Sequence, residues 1–472
     1  MKIISYFCIV KRFKHIFRVI LAVILTNLTT IVTAQDFSGN NAPDISVQNS
    51  RVNEEATAWL DSVDISLLTC GPGEEVWSYY GHSALRIQDK VHGSDVAVNW
   101  GMLSFRQSFF VLRFVFGLTD YQIGIYPMSD FMEEYSAEGR WVRQQRLHLS
   151  REEKLKVLQA IDENAQPENR TYRYNFFFDN CTTRAREMVI TNIGYCNTNF
   201  KDNDAQSSYR EEIHKLNGNH RWARFGNDLL LGYMSDRDIT KREWEFLPDN
   251  LSKDFATEGR KDFINDGRKD FGNDPSGDAD ANRIYGKDGY LMLVDSTCYL
   301  IPPTPTREVA EAEAITPTVV FISLAVLTIG LSVLEWRKKK NFWALDAFLL
   351  ILTGLPGLIL LAMLFSQHPT VQVNFQMLIL NPINLIFVWK TILKMRQGKL
   401  YWYYEVWGIC LVASLFMQIW QTYAEGMVTL ALSLLVRYAI KSTILDLSAN
   451  NLKIQHRIIT KLRNKKKNQE SN

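Results

Sequence analysis

The chain has 472 residues, enough for two or three domains at ~150 residues each, with 46% hydrophobic and 22% charged residues and a formal net charge of +2. That total hides three blocks. Residues 1–34 carry five basic side chains and no acid, residues 317–472 carry 17 Lys/Arg against 6 Asp/Glu, and residues 35–316 are acidic by about 14 charges. The pattern excludes a single soluble globule and a disordered or collagen-like chain, and it argues against a nucleic-acid partner.

The first block reads as a secretory signal over residues 1–34. Basic residues ending at Arg18 precede an apolar run, and Val32-Thr33-Ala34 offers a small-residue cleavage site. An exported domain then runs over 35–312. Residues 63–69 predict a short buried strand closed by the turn Cys70-Gly71-Pro72-Gly73; 82–87 predict a second and 96–100 a third. The segment 106–118 is aromatic-rich and fits strand or helix. A helix over 150–164 is marked by Ser150 and Glu153 as a capping box and by Leu155, Leu158 and Ile161 as an apolar stripe. Residues 172–178 read as extended, and a helix opens at Cys181 with Ala185, Met188 and Val189 on one face. An eight-residue repeat occupies 251–274. Its copies begin at Leu251, Gly259 and Gly267, and the segment reads as a mobile surface insertion. Residues 290–301 predict a last strand.

The third block is membrane-like. Residues 314–334 hold no charge over 21 positions, and 347–389 hold none over 43, interrupted by the polar stretch 366–374. The reading is five transmembrane helices within 313–441, at about 315–335, 343–365, 375–390, 403–420 and 421–440. Arg437 weakens the last. A basic cytoplasmic tail follows over 442–472. Five spans put fifteen Lys/Arg of the connecting segments on one side and none in the two loops on the other, as the positive-inside rule demands. The protein is therefore expected in the inner (cytoplasmic) membrane with its N-terminal domain in the periplasm.

No HExxH, GxSxG, Walker or GxGxxG motif occurs, so metalloprotease, α/β-hydrolase, NTPase and dinucleotide chemistry are not indicated. Two residues stand out. Cys181 opens a helix, where the dipole lowers a thiol below its usual pKa of ~8.5. His82 starts a strand, and Asn99 lies on the neighbouring one. Thiolate on a helix, His on a strand and a third polar group beside it form the papain-type arrangement. The same residues also suit an inert buried cysteine and a structural histidine. Cys70 and Cys196 read as small buried hydrophobes or a mutual disulfide.

Several segments together resemble one family. They are 67–74 (LLTCGPGE), 80–86 (YGHSALR), 172–184 (YRYNFFFDNCTTR), and Ser366-Gln367-His368-Pro369 with Asn374 and Asn381-Pro382. The likeness, over about 60–440, is to the Bacteroides-type lipoprotein N-acyltransferases (Lnb). It implies an α+β exported domain, similar to circularly permuted papain-like enzymes, followed by an all-α five-helix transmembrane domain. It also implies that an acyl chain passes from a phospholipid, through a thioester on Cys181, to the N-terminal cysteine amine of a diacylglyceryl lipoprotein. His82 and Asn99 would assist catalysis, while His368, Asn374, Arg86 and Arg184 would bind substrate, with no metal or cofactor. Phe105, Phe109, Phe110, Phe114 and Phe116 would line the acyl route or belong to the core. A membrane-anchored peptidoglycan amidase or endopeptidase, a phospholipase and a non-catalytic assembly factor stay open as alternatives.

Overall fold

The computed structural model describes residues 58–103, 109–193, 205–257, 259–260, 291–304 and 315–470. The signal, Phe105, Cys196, the third repeat copy with most of the second, and the 305–314 linker lie outside the described residues.

The exported part is built on a seven-stranded sheet. Its strands are β1 (Val63–Cys70), β2 (His82–Asp89), β3 (Ser94–Leu103), β4 (Asp120–Pro127), β5 (Val142–Leu147), β6 (Thr171–Arg173) and β7 (Val294–Ile301). The spatial order is β7-β5-β1-β2-β3-β4-β6, with every neighbouring pair antiparallel. Alternation along β1 feeds two cores, because successive side chains point to opposite faces. Ile65 and Leu67 join Leu85, Val98 and Trp100 in one core, under α3 (Arg151–Ala165) and α4 (Cys181–Ile190). Leu68 and Cys70 join Ala84 and Ala97 in the other, under Phe131 and Tyr135 of α2 (Met128–Ala137). The capping box at Ser150 and Glu153 forms as the sequence predicts. The ambiguous aromatic segment contains a six-residue helix, α1 (Phe110–Val115).

The repeat reading needs correction. Residues 251–257 of the first copy belong to α7 (Pro248–Thr257), where Leu251 and Phe255 are completely buried against the sheet. Their four-residue spacing puts both on one helical face. Gly259–Arg260, opening the second copy, pairs with Leu291–Met292 as a short antiparallel ribbon.

Before α7, two helices that the sequence reading did not assign, α5 (Tyr209–Asn217) and α6 (Arg221–Leu230), join the exported part to the membrane part. The latter comprises α8 (Pro317–Lys338), α9 (Trp343–Met363), α10 (Ile383–Arg396), α11 (Trp402–Met417) and α12 (Met427–Glu470). Four segments are long and apolar enough to cross a membrane: Pro317–Lys338, Trp343–Met363, Pro369–Arg396 and Met427–Leu447. Length and apolarity alone thus single out four, beside a fifth and shorter apolar helix. Trp402–Met417 is apolar but only 16 residues long. It ends early because Gln421 turns away to bond Leu231 O and Asn374 Oδ1. The third span is broken at Asn381-Pro382, where Asn381 Oδ1 accepts from the Ile383 N–H.

Arg437, which looked out of place in an apolar segment, is fully buried and paired with Glu335 and Asp346. Lys441 pairs with the same two carboxylates. The four charges cancel, so α8, α9 and α12 are joined by a neutral cluster where any single charge would be costly.

Two outcomes are expected. Phe255→Ala should destabilise the protein by about 3–5 kcal/mol through the cavity it leaves, read as a fall in melting temperature. Arg437→Met leaves two carboxylates facing one ammonium and should cost a similar amount, about 3–5 kcal/mol, whereas Lys338→Met, at an exposed position of α8, should leave the melting temperature unchanged.

Candidate active site

The thiol is placed by the start of α4. Asn180 caps the helix, its Oδ1 accepting from the Thr182 and Thr183 N–H groups at 2.9 Å each, and Thr183 Oγ1 accepts from the Asn180 N–H at 2.8 Å. The Asn180 amide also donates to Phe176 O and Phe246 O, which fixes the cap to the chain on both sides. Such reciprocal capping satisfies the second and third N–H groups of the helix and leaves the first, that of Cys181, for another acceptor.

The imidazole arrives from the sheet. His82 opens β2, and the next residue, Ser83, shares a hydroxyl contact of 3.2 Å with Thr182, so the strand start and the helix start are locked together. His82 Nε2 lies 2.6 Å from Asn99 Oδ1. The Asn99 amide nitrogen donates to Tyr126 Oη at 2.8 Å, which orients the amide with its oxygen toward the histidine. An oxygen there can only accept, so Nε2 carries the proton and Nδ1 is the basic nitrogen. The His82 and Cys181 side chains interact through charge and hydrogen bonding, and with Nε2 engaged by Asn99, Nδ1 is the nitrogen left for the thiol.

The electrostatics match. Burial alone raises the Cys181 pKa, but the His82 charge and hydrogen bond outweigh it, aided by the Ser83 N–H and the Thr182 hydroxyl, and hold it at about 7. The same burial depresses His82, and the Cys181 thiolate with Asn99 more than restores it, so its pKa is raised. A thiolate–imidazolium pair is therefore accessible near neutral pH. Gly101, at φ +97°, lies beside both groups; a Cβ there would sit 3.8 Å from Cys181 Cβ and from His82 Cε1. A left-handed backbone favours glycine, and the missing side chain leaves the approach open.

An aromatic wall leads away from the thiol. Tyr121 and Tyr174, both within reach of the Cys181 charge, stack at 4.2 Å; Tyr174 meets Phe176 at 5.3 Å, and Phe176 meets Phe114 and His368 at 5.8 Å each. His368 thus reaches the exported domain from the membrane part. Its ring lies over Gly117 (φ +66°), where a Cβ would approach within 3.0 Å. Phe109 is exposed, while Phe114 and Phe116 are half-buried, so these rings are not closed core.

The other expected site residues are committed elsewhere. Arg86 forks onto Asp95 and bonds Gln144, four residues along β2 from His82. Asn374 donates to Leu229 O and accepts from the Gln376 N–H and Gln421, so it holds a loop and is not brought to the thiol. Arg184 forks onto Asp179 and lies 3.6 Å over the Tyr172 ring, bracing the helix start and the wall. Cys70 is a buried free thiol, which makes it the inert residue anticipated. A cleft of about 760 Å³ lined by Trp100, Asn164, Phe177, Arg186 and Glu243 lies against α4 but includes neither Cys181 nor His82, and its chemistry is not theirs. The sequence reading missed Tyr121 and Tyr174; the tyrosine spacing in the 172–184 segment was the available signal.

The pH dependence follows from these shifts. Alkylation of Cys181 by iodoacetamide should turn on with a midpoint near pH 7, below the ~8.5 of a free thiol. His82→Ala removes the opposing charge and leaves burial, so the midpoint should move above 8.5. An unchanged midpoint in that variant would contradict the pairing.

Comparison with known proteins gives two matches. Residues 52–209 match the Lnb N-terminal periplasmic domain, and residues 309–447 match the Lnb transmembrane domain. Neither the curated proteins nor the solved structures give a match. The two matched domains follow one another in this order, cover well over half of the chain and contain the whole His82–Asn99–Cys181 cluster as well as the His368 loop, and the chain therefore belongs to the Lnb family.

Proposed function

We infer that the protein is a lipoprotein N-acyltransferase of the inner membrane, moving an acyl chain from a phospholipid to the N-terminal cysteine amine of a diacylglyceryl lipoprotein. The observation that carries this reading is the 2.6 Å contact of His82 Nε2 with Asn99 Oδ1, beside a thiol at a helix start. With Nε2–H on Asn99, Nδ1 is the base for a helix-initial thiol, in a chain of the Lnb family. A nucleophile, a base and an orienting amide are what acyl transfer through a covalent intermediate requires.

The thiolate of Cys181 attacks the ester carbonyl carbon of the phospholipid. The negative oxygen that develops is met by the Cys181 N–H at the helix start. Collapse breaks the ester C–O bond, and His82 gives its Nδ1 proton to the leaving alkoxide, releasing a lysophospholipid and leaving a thioester. The lipoprotein amine then attacks the thioester carbonyl and passes its proton to His82. The C–S bond breaks, the amide is formed and the thiolate–imidazolium pair returns. No metal or soluble cofactor enters this balance. Both substrates are membrane lipids, so the membrane helices serve to present their acyl chains to a thiol held at the bilayer surface.

Mass spectrometry of a lipoprotein's N-terminal peptide tests the reading. Cells or vesicles with the protein should yield the N-acylated triacyl form, and those without it the free-amine diacyl form. Cys181→Ser and His82→Ala should abolish conversion, and Asn99→Ala should lower it by roughly 10²-fold. Unchanged lipoprotein N-termini together with cleavage of peptidoglycan would establish the amidase alternative instead.

A further inference from the structure

Where the exported domain meets the membrane part, two guanidiniums share one carboxylate. Arg113 Nη2 bonds Asp120 Oδ2 at 2.6 Å and Arg173 Nε bonds Asp120 Oδ1 at 2.7 Å. Arg173 Nη1 also donates 2.9 Å to Gln367 Oε1, in the loop between α9 and α10. The three charged groups sum to one surplus positive charge, and both arginines remain partly exposed, at 35% and 40%.

Two buried polar atoms close by have no partner: Arg113 Nε and His368 Nδ1. His368 is 6% exposed, and it feels the Arg173 charge. A buried donor without an acceptor is costly to a fold and marks a place where a ligand group completes the hydrogen bonding. The position is also defined. Gln367 N–H bonds Phe116 O at 3.0 Å, α1 packs against α9, and Phe109, Leu112 and Phe365 are exposed beside it as an apolar flank continuous with the spanning helices. Guanidinium forks with a net positive charge, at the edge of a lipid-facing apolar surface, fit a phosphodiester.

We propose that Arg113, Arg173 and His368 form the subsite that holds the phosphodiester of the glycerophospholipid acyl donor. The guanidiniums take two phosphate oxygens, the unpartnered His368 nitrogen takes a third polar group of the headgroup or glycerol, and the acyl chains lie along Phe109, Leu112 and Phe365. The aromatic wall from Phe176 through Tyr174 to Tyr121 then leads from the headgroup to Cys181. This rests on the acyltransferase reading only for the lipid's role as donor; the binding itself is testable without turnover.

The full-length protein in detergent micelles is titrated with dioctanoyl phosphatidylglycerol and, separately, with dioctanoylglycerol, which lacks the phosphate. The wild-type protein should bind the phospholipid at least ten times more tightly. Arg113→Ala/Arg173→Ala should erase that preference, Arg113→Lys/Arg173→Lys should keep part of it, and Gln367→Ala, which removes the interdomain bond but neither charge, should keep it whole. Equal affinity of the wild-type protein for both lipids, or a preference that survives the double alanine variant at unchanged melting temperature, would overturn the subsite. In transfer assays the double variant should raise the donor KM at least tenfold with kcat within threefold of wild type. An unchanged KM with normal transfer would sink the subsite and leave the acyltransferase reading standing. No transfer by the wild-type protein, with a lipid preference that still tracks the arginines, would sink that reading and leave the subsite.

Discussion

A buried thiol ionises near neutral pH only with a countercharge beside it, and the exported domain brings His82 to Cys181. Two cysteines end up close together at the same end of the sheet. Cys70 faces His82 across the β1–β2 ladder and is buried, and burial pushes its thiol up to about 12. Cys181 is buried as well, yet its thiol is held at about 7. The difference is the His82 charge and hydrogen bond, with the helix start behind them. Asn180, Thr183, Ser83 and Thr182 serve this one geometry, because a thiolate displaced from its imidazole would revert to an inert thiol.

The second constraint is height above the membrane. Both outer loops of the membrane part are bound to the exported domain through buried backbone groups. Gly232 N–H and Tyr233 N–H donate to Thr370 O and Val373 O, Gln376 Nε2 donates to Asp228 O, and Gln421 Nε2 donates to Leu231 O. Arg210, fully buried, holds Asp228 and Asp236 beneath this seam, and Arg221 pairs with Glu425 at its edge. Groups so desolvated lose much more by separating than an exposed contact would. The thiol is thereby fixed relative to the spanning helices, which on the proposed function confers the proximity that a reaction between two membrane-embedded lipids requires.

Much of the site was legible in the sequence because its determinants are local. Asn180 before Cys181 is a capping signal, Ser150 with Glu153 is another, and β2 and β3 are short apolar runs on either side of a turn. The pairing of His82 with Asn99 needed only the assumption that neighbouring strands lie side by side. What was hidden depends on partners far away in the chain. β5 reads as polar, with Arg143, Gln144, Gln145 and Arg146, yet it lies inside the sheet, because Arg143 and Gln145 bond Asp249 and Ser252 of α7. That helix was itself obscured by its likeness to the repeat that follows. Arg437 looked disruptive only because Glu335 and Asp346 lie about a hundred residues earlier. Asn374 looked like a site residue because it is polar in an apolar stretch; its bonds are spent on the interdomain seam.

The central claim is that Cys181 carries the acyl group. The most direct measurement is intact and peptide mass spectrometry of the full-length protein mixed with a phospholipid of defined chain length and no lipoprotein acceptor. The account predicts an adduct of one acyl chain on the peptide containing Cys181, released by neutral hydroxylamine and discharged as amide when a diacyl lipopeptide is added. Transfer to the lipopeptide at full rate with no acyl adduct on Cys181, or with the adduct on another residue, would contradict it.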